Sequence, residues 1–268
     1  LKLSKISNSN SYSNNSGYSK PKTDRQMQFK ANIYLCNFHE FDCLKQNFKP
    51  HEVGFKWIVE ETAYKIPQAL TERACDCIVN VITNKTGLLN MSHIQPTVRN
   101  MSKISEIKEK IFNFAIDLSN EGKGNIDLCK KKMGGLITGG KYPVKFVNSG
   151  EDEGVHRRSP ILLKETIDTF KKIDKTSGMD YSIIALNKAE YGHVDVLSDA
   201  KTDTHYLYIG DDDNRPIFTT KKLFENLYII KISPNDKVLN KHGDITEEIR
   251  NFPSQKTVIS LFLNRSYT

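Results

Sequence analysis

Cys77 and His93 are the residues whose types and spacing could do covalent chemistry. They lie in the stretch CDCIVNVITNKTGLLNMSHIQP, residues 75–96, sixteen positions apart. A thiol attacks a carbonyl carbon well only when its proton can leave, and an imidazole on an adjacent strand can take that proton. Residues 78–82 (IVNVI) and 88–94 (LLNMSHI) are β-prone runs, and the break at 83–87 carries Asn, Lys and Gly, which is turn chemistry. A hairpin through that break sets the start of one strand against the end of the other, so Cys77 and His93 share one open end. The same two residues also fit a buried free cysteine and a satisfied histidine in an ordinary core.

Other chemistry-bearing patterns are weaker. Gly135 to Lys141 satisfies G-x-x-x-x-G-K, but Tyr142 stands where a Ser or Thr hydroxyl must reach magnesium, and Pro143 follows. The five cysteines, Cys36, Cys43, Cys75, Cys77 and Cys129, are sparse and odd in number, which is no disulfide scaffold. Cys75-x-Cys77 has no second close pair, so the four ligands of a zinc site are not supplied. Asp211-Asp212-Asp213-Asn214 reads as a hairpin tip rather than a metal loop, and Lys130 to Lys132 as a solvated face. Thiol chemistry in a reducing compartment fits this inventory, with no metal or organic cofactor required.

The elements that must position the pair are of both kinds. Ile104, Ile107, Ile111, Phe114 and Leu118 recur at helical spacing behind a Ser102 cap, and Gly122 follows. Ser159 and Pro160 read as the cap and first position of a second helix with a Leu163, Ile167, Phe170 stripe, closed by Gly178. Residues 181–186, 193–197, 205–209, 216–219, 227–232 and 258–263 are strand-like by length and content. Residues 6–24 are Ser, Asn and Lys rich with almost no aliphatic content, a linker or tail that cannot offset its ordering entropy by burial. The expected organisation is a tail over 1–27 and one domain over 28–268.

At 268 residues the chain can bury a full core. Hydrophobic residues make up 38% and charged residues 26%, and no apolar run approaches the roughly 20 residues of a membrane-spanning helix. The formal charge is +7, but residues 1–27 hold five basic side chains against Asp24 and so contribute +4 of it. The body lacks the dense basic face of a nucleic-acid binder. Because it begins at Leu1 with no signal-peptide pattern, the sequence reads as a fragment or processed piece.

Several features in order resemble one known family. Thr71, six before Cys77-Ile-Val-x-Val81, then Gly87-Leu-Leu-x-Met-x-His93-Ile-x-Pro96, is similar to the signature of the chemotaxis receptor glutamine deamidases, the CheD family, which carry Thr, Cys and His in this order. Gly139-Gly140 after Leu136-Ile137 resembles that family's Phe-Gly-Gly strand, and Ser149-Gly150-Glu151 before the Ser159 helix resembles its Gly-Glu-x-Asn segment. The likeness covers roughly residues 53–197. Two departures stand out: Cys75-Asp76 replaces the small Gly-Ser pair before the nucleophile, and the chain continues through residues 198–268. Those additions resemble toxin and effector deamidases such as the cytotoxic necrotising factor catalytic domains, which implies action in a reducing cytoplasm, reached by secretion into a host cell in the toxin case.

The resemblance implies an α+β domain, a mixed β-sandwich-like core flanked by helices. It implies Cys77 as nucleophile, His93 as general base and acid, and Thr71 as the group orienting His93, acting on a protein that presents an exposed Gln. A cysteine protease or transglutaminase shares the acyl-enzyme chemistry, and a non-catalytic interaction domain is the alternative from another class. Residues 151–158 and 199–215 are expected to be docking loops.

Overall fold

A computed structural model describes residues 30–54, 63–120, 133–142, 153–187, 192–210 and 227–251. The tail at 1–27, Cys129, Lys130 to Lys132, residues 149–152, Asp211 to Asn214 and the expected strands at 216–219 and 258–263 lie outside them.

In chain order the elements are β1 (Asn32–Cys36), α1 (Phe38–Phe48), β2 (His51–Glu52), β3 (Ala63–Ile66), β4 (Gln68–Ala74), β5 (Ile78–Asn84) and β6 (Leu89–Ile94). Then follow α2 (Val98–Ser102), α3 (Ile104–Asn120), β7 (Met133–Tyr142), α4 (Glu153–Ser177), β8 (Asp180–Asn187), β9 (His193–Asp199), β10 (Thr204–Gly210), β11 (Leu227–Lys231), β12 (Lys237–Asn240), β13 (Gly243–Asp244) and α5 (Thr246–Asn251). They form two mixed sheets, β13-β12-β1-β10-β9-β4-β2 and β11-β8-β7-β5-β6-β3. The fold is α+β, with the two sheets packed face to face.

The core between the sheets takes Ile33, Leu35, Val194, Val196 and Leu207 from the first sheet and Val79, Val81, Leu89, Met91, Leu136 and Ile184 from the second. The far face of the second sheet carries Ile78, Ile82, Ile94 and Ile137 and is covered by α3 and α4 through Ile107, Ile111, Leu163, Ile167 and Phe170. The far face of the first sheet is covered by α1, where Phe41 meets Leu70, Leu197 and Tyr208. The order of layers is therefore helix, sheet, sheet, helices. It explains why every residue of β5, IVNVITN, is buried: one face meets the other sheet and the opposite face meets two helices.

Local chemistry sets the boundaries. Asn37 and Glu40 form a reciprocal capping box on α1, and Lys49 closes that helix in the left-handed region at φ 46°. The hairpin expected over 78–94 is present, with Ile78 paired to Ile94 and Val79 to His93. The helix expected after Ser102 is α3, from Ile104, but Ser102 is not its cap: it ends α2, which Thr97 caps by accepting from Asn100 N, and its hydroxyl donates back to the Arg99 carbonyl. Ser159 is not a cap either, because α4 starts at Glu153 and runs through Pro160. Hence 153–158 is helix, and residues 199–210 are the end of β9, a turn and β10, so neither expected docking loop is mainly a loop within the described residues. Gly135 to Lys141 belongs to β7, paired with β5 and β8, and not to a phosphate-cradling loop ahead of a helix.

Candidate active site

Thr71 and His93 come from opposite sheets. Thr71 lies on β4, paired with Val196 of β9 in the first sheet, and His93 lies on β6 in the second. Their side chains meet in the buried space between, with Thr71 Oγ1 2.7 Å from His93 Nδ1. The same hydroxyl donates its one proton to the Val53 carbonyl oxygen at 2.7 Å. It can only accept from the ring, so Nδ1 carries the hydrogen and Nε2 keeps the lone pair.

Cys77 reaches this space by a three-residue crossing between the sheets. Residues 75–77 are a bend that carries the chain from β4 in one sheet to β5 in the other. Just before it, β4 bulges: its register with β9 shifts between Thr71 and Ala74, and Arg73 sits at φ 59°. The Asp195 carboxylate holds that bulge by accepting from Arg73 N at 2.6 Å. Because residues 75–77 are not a strand, Cys75 and Cys77 do not share a face by simple alternation.

Cys77 belongs to the core between the sheets together with Val79 and Val81. Val79 is the partner of His93, and Cys77, two residues earlier, packs in the same core between the sheets. Cys77 is 9% exposed and His93 3%. All three residues singled out by type and order thus lie at one end of the inner face, with Thr71 and His93 joined by a hydrogen bond.

Three further features close on the crossing. Gly140 N donates to the Cys77 carbonyl at 2.8 Å. Gly139 and Gly140 have φ of 76° and 70°, and a Cβ on Gly139 would stand 2.4 Å from the Cys77 oxygen. Ser159 Oγ donates to the Asp76 carbonyl at 2.7 Å, and its neighbour Arg158 donates from Nε to the Pro96 carbonyl at 2.7 Å. Two adjacent residues of α4 therefore hold the segment entering β5 and the segment leaving β6.

Burial sets the protonation states. The Cys77 thiol is pushed up to about 12 by desolvation first, then by the Asp76 and Cys75 charges. His93 is pushed down to about 4 by desolvation. At pH 7 on the order of one thiol in 100,000 and one imidazole in 1,000 is charged. The resting pair is neutral thiol and neutral imidazole, so a reaction here has to move the thiol proton as the sulfur attacks.

Type and order in the sequence lead to Thr71, Cys77 and His93. They carry no sign of Val53, which acts through its backbone carbonyl, or of Asp195, which acts on a backbone amide 122 positions away. Among the described residues no group of three or more His, Cys, Asp or Glu could hold a metal ion. No described helix is long and apolar enough to cross a membrane. No protein-family model matches the chain, and no curated protein matches its sequence.

Proposed function

We propose that the chain is a cysteine hydrolase that converts a Gln side chain of a partner protein to Glu. The observation that carries the reading is the Thr71 hydroxyl, which spends its proton on Val53 and so fixes His93 with a basic Nε2, on the buried face that Cys77 shares. The Thr, Cys, His order and its likeness to the CheD deamidases supply the substrate class.

In the proposed reaction the Cys77 sulfur bonds to the carboxamide carbon while His93 takes the thiol proton. His93 returns that proton to the nitrogen as the carbon–nitrogen bond breaks, and ammonia leaves a thioester. Water then adds with His93 as base, the carbon–sulfur bond breaks, and the products are a carboxylic acid and the original thiol. Oxyanion stabilisation would come from backbone N–H groups around Cys77. Burial raises the thiol and lowers the imidazole, so a separated thiolate and imidazolium is disfavoured before any bond forms. Concerted proton transfer avoids that separation.

The burial of Cys77 and its raised thiol favour a second reading, an inert core cysteine in a non-catalytic interaction domain. One pair of measurements separates them. Ammonia release and a mass gain of about one unit on Gln-bearing folded proteins, absent with Cys77→Ser, support the deamidase. Peptide cleavage in place of that mass gain makes the chain a protease, and cross-linked products make it a transglutaminase. Failure of iodoacetamide to modify Cys77 ahead of the other cysteines, together with no ammonia from any substrate, sinks the catalytic reading.

A further inference from the structure

Thr138 lies beside the Cys77 crossing, on the side away from His93, because the next residue, Gly139, stands against the Cys77 carbonyl. Thr138 of β7 pairs with Val79 across β5, just as His93 does from β6. Alternation along β7 sends Leu136 to the core between the sheets and Ile137 to the helix-covered face, so Thr138 points inward with Leu136. On its other side Thr138 pairs with Ile184, which also belongs to the inner core. The inner face at this end therefore presents His93 on β6 and Thr138 on β7, either side of Val79 on β5, with Cys77 in the same core.

Thr138 is 1% exposed, and its hydroxyl has no hydrogen-bond partner among the described residues. Its row neighbours Val79 and Ile184 are apolar. A valine there would pack in the same volume without burying an unpaired hydroxyl, which is a cost to folding. The position thus carries a polar group that the fold does not use, next to the crossing that holds Cys77.

We propose that Thr138 is a substrate-positioning residue whose hydroxyl donates to the carbonyl oxygen of the bound carboxamide. This rests on the deamidase reading and deepens it. The carboxamide carbon would then lie against the Cys77 sulfur, its oxygen toward Thr138 and its nitrogen toward His93, which must protonate the leaving ammonia. As sulfur adds and charge builds on the oxygen, the Thr138 hydrogen bond strengthens. Electrophiles without a carbonyl gain nothing from it.

The test uses Thr138→Val and Thr138→Ser in the full chain, with two alkylating probes, iodoacetamide and allyl iodide, and with thermal unfolding of each variant. The expected result has Thr138→Val melting at or above the parent temperature, because an unpaired buried hydroxyl is gone. Its Cys77 alkylation by iodoacetamide should fall about tenfold relative to allyl iodide, and ammonia release about 10- to 100-fold. Thr138→Ser should restore most of both. A Thr138→Val protein with an unchanged probe ratio and unchanged ammonia release overturns the role of Thr138 and leaves the deamidase reading intact. A melting temperature well below the parent's makes the hydroxyl structural and also overturns it. If the parent Cys77 reacts with neither probe ahead of the other cysteines and no substrate yields ammonia, the deamidase reading itself fails.

Discussion

The Thr71 hydroxyl has one proton and gives it to Val53, so its effect on His93 is to accept. Thr71→Val removes that acceptor and leaves a buried Nδ1–H unsatisfied. The expected loss is about 1–3 kcal/mol of stability and, through a misaimed ring, about 10- to 100-fold in kcat. Thr71→Ser keeps the hydroxyl and should keep most of the activity, so a valine variant as active as the serine one would remove Thr71 from the machinery. The neutral resting pair makes a second prediction. The acid limb of kcat/KM reports the free enzyme's base, and with His93 near 4 it should fall at about pH 4, leaving the rate flat from pH 5 to 8. An acid limb between pH 6 and 7 would mean an imidazole as basic as in water and would contradict the burial argument. At this scale side-chain type drew attention to Cys77 and His93 and the family resemblance to Thr71, and the fold brings Thr71 to hydrogen-bonding distance of His93. The sequence was silent where a backbone atom does the work, as at the Val53 carbonyl and the Arg73 amide, because any residue supplies those groups.

The pair is held in place by elements, and α4 is the one that grips both flanks of the hairpin, through Ser159 to Asp76 and Arg158 to Pro96. Gly139 adds a steric requirement, since a side chain there meets the Cys77 carbonyl and sits at positive φ. Gly139→Ala should cost about 2–3 kcal/mol, combining left-handed strain with displacement of the crossing. Ser159→Ala should cost about 1 kcal/mol, the net value of one hydrogen bond. Urea denaturation of both variants checks the ranking, and a Gly139→Ala protein as stable as the parent would mean that the crossing can shift freely. The hairpin was legible because a β-branched run, IVNVI, and a second apolar run, LLNMSHI, flank turn residues. The Ser159-Pro160 pair was misleading: serine before proline is the usual opening of a helix, yet α4 already runs from Glu153, and the hydroxyl is left to bond the Asp76 carbonyl. Nothing in residues 68–84 reveals that β4 and β5 belong to different sheets, since the crossing is only three residues long and its direction is set by a bulge that Asp195 holds from β9.

Across the molecule, burial shifts acids and bases in opposite senses, and the two sets act against each other. His93 and His205 are both lowered from 6.5 to about 4 by desolvation. As pH falls through this window the unfolded chain takes up their protons and the folded chain does not, so stability is lost. Asp203 and Asp236 are raised from 3.8 to about 6, again chiefly by desolvation, and Asp195 is raised as well. Between about pH 6 and 4 the folded chain takes up these protons first, so stability is gained. The two histidines offset Asp203 and Asp236, and the raised Asp195 adds to the acids' side, so the free energy of unfolding should stay level or rise slightly as pH falls over that range. Asp236→Asn tests the balance. Its carboxylate accepts from Ala31 N and from the Ser182 hydroxyl, and the amide oxygen can keep the first bond while the Ser182 hydroxyl turns to accept from the amide NH2. With that acid removed, the variant should lose stability relative to the parent at about 1.4 kcal/mol per pH unit as pH drops from 6 to 4. Urea titrations at half-unit intervals read the difference in slope directly. Parallel profiles for the parent and the variant would show that Asp236 does not titrate in this window, and the buried charge would then have to be held by a stronger network than the two donors around it.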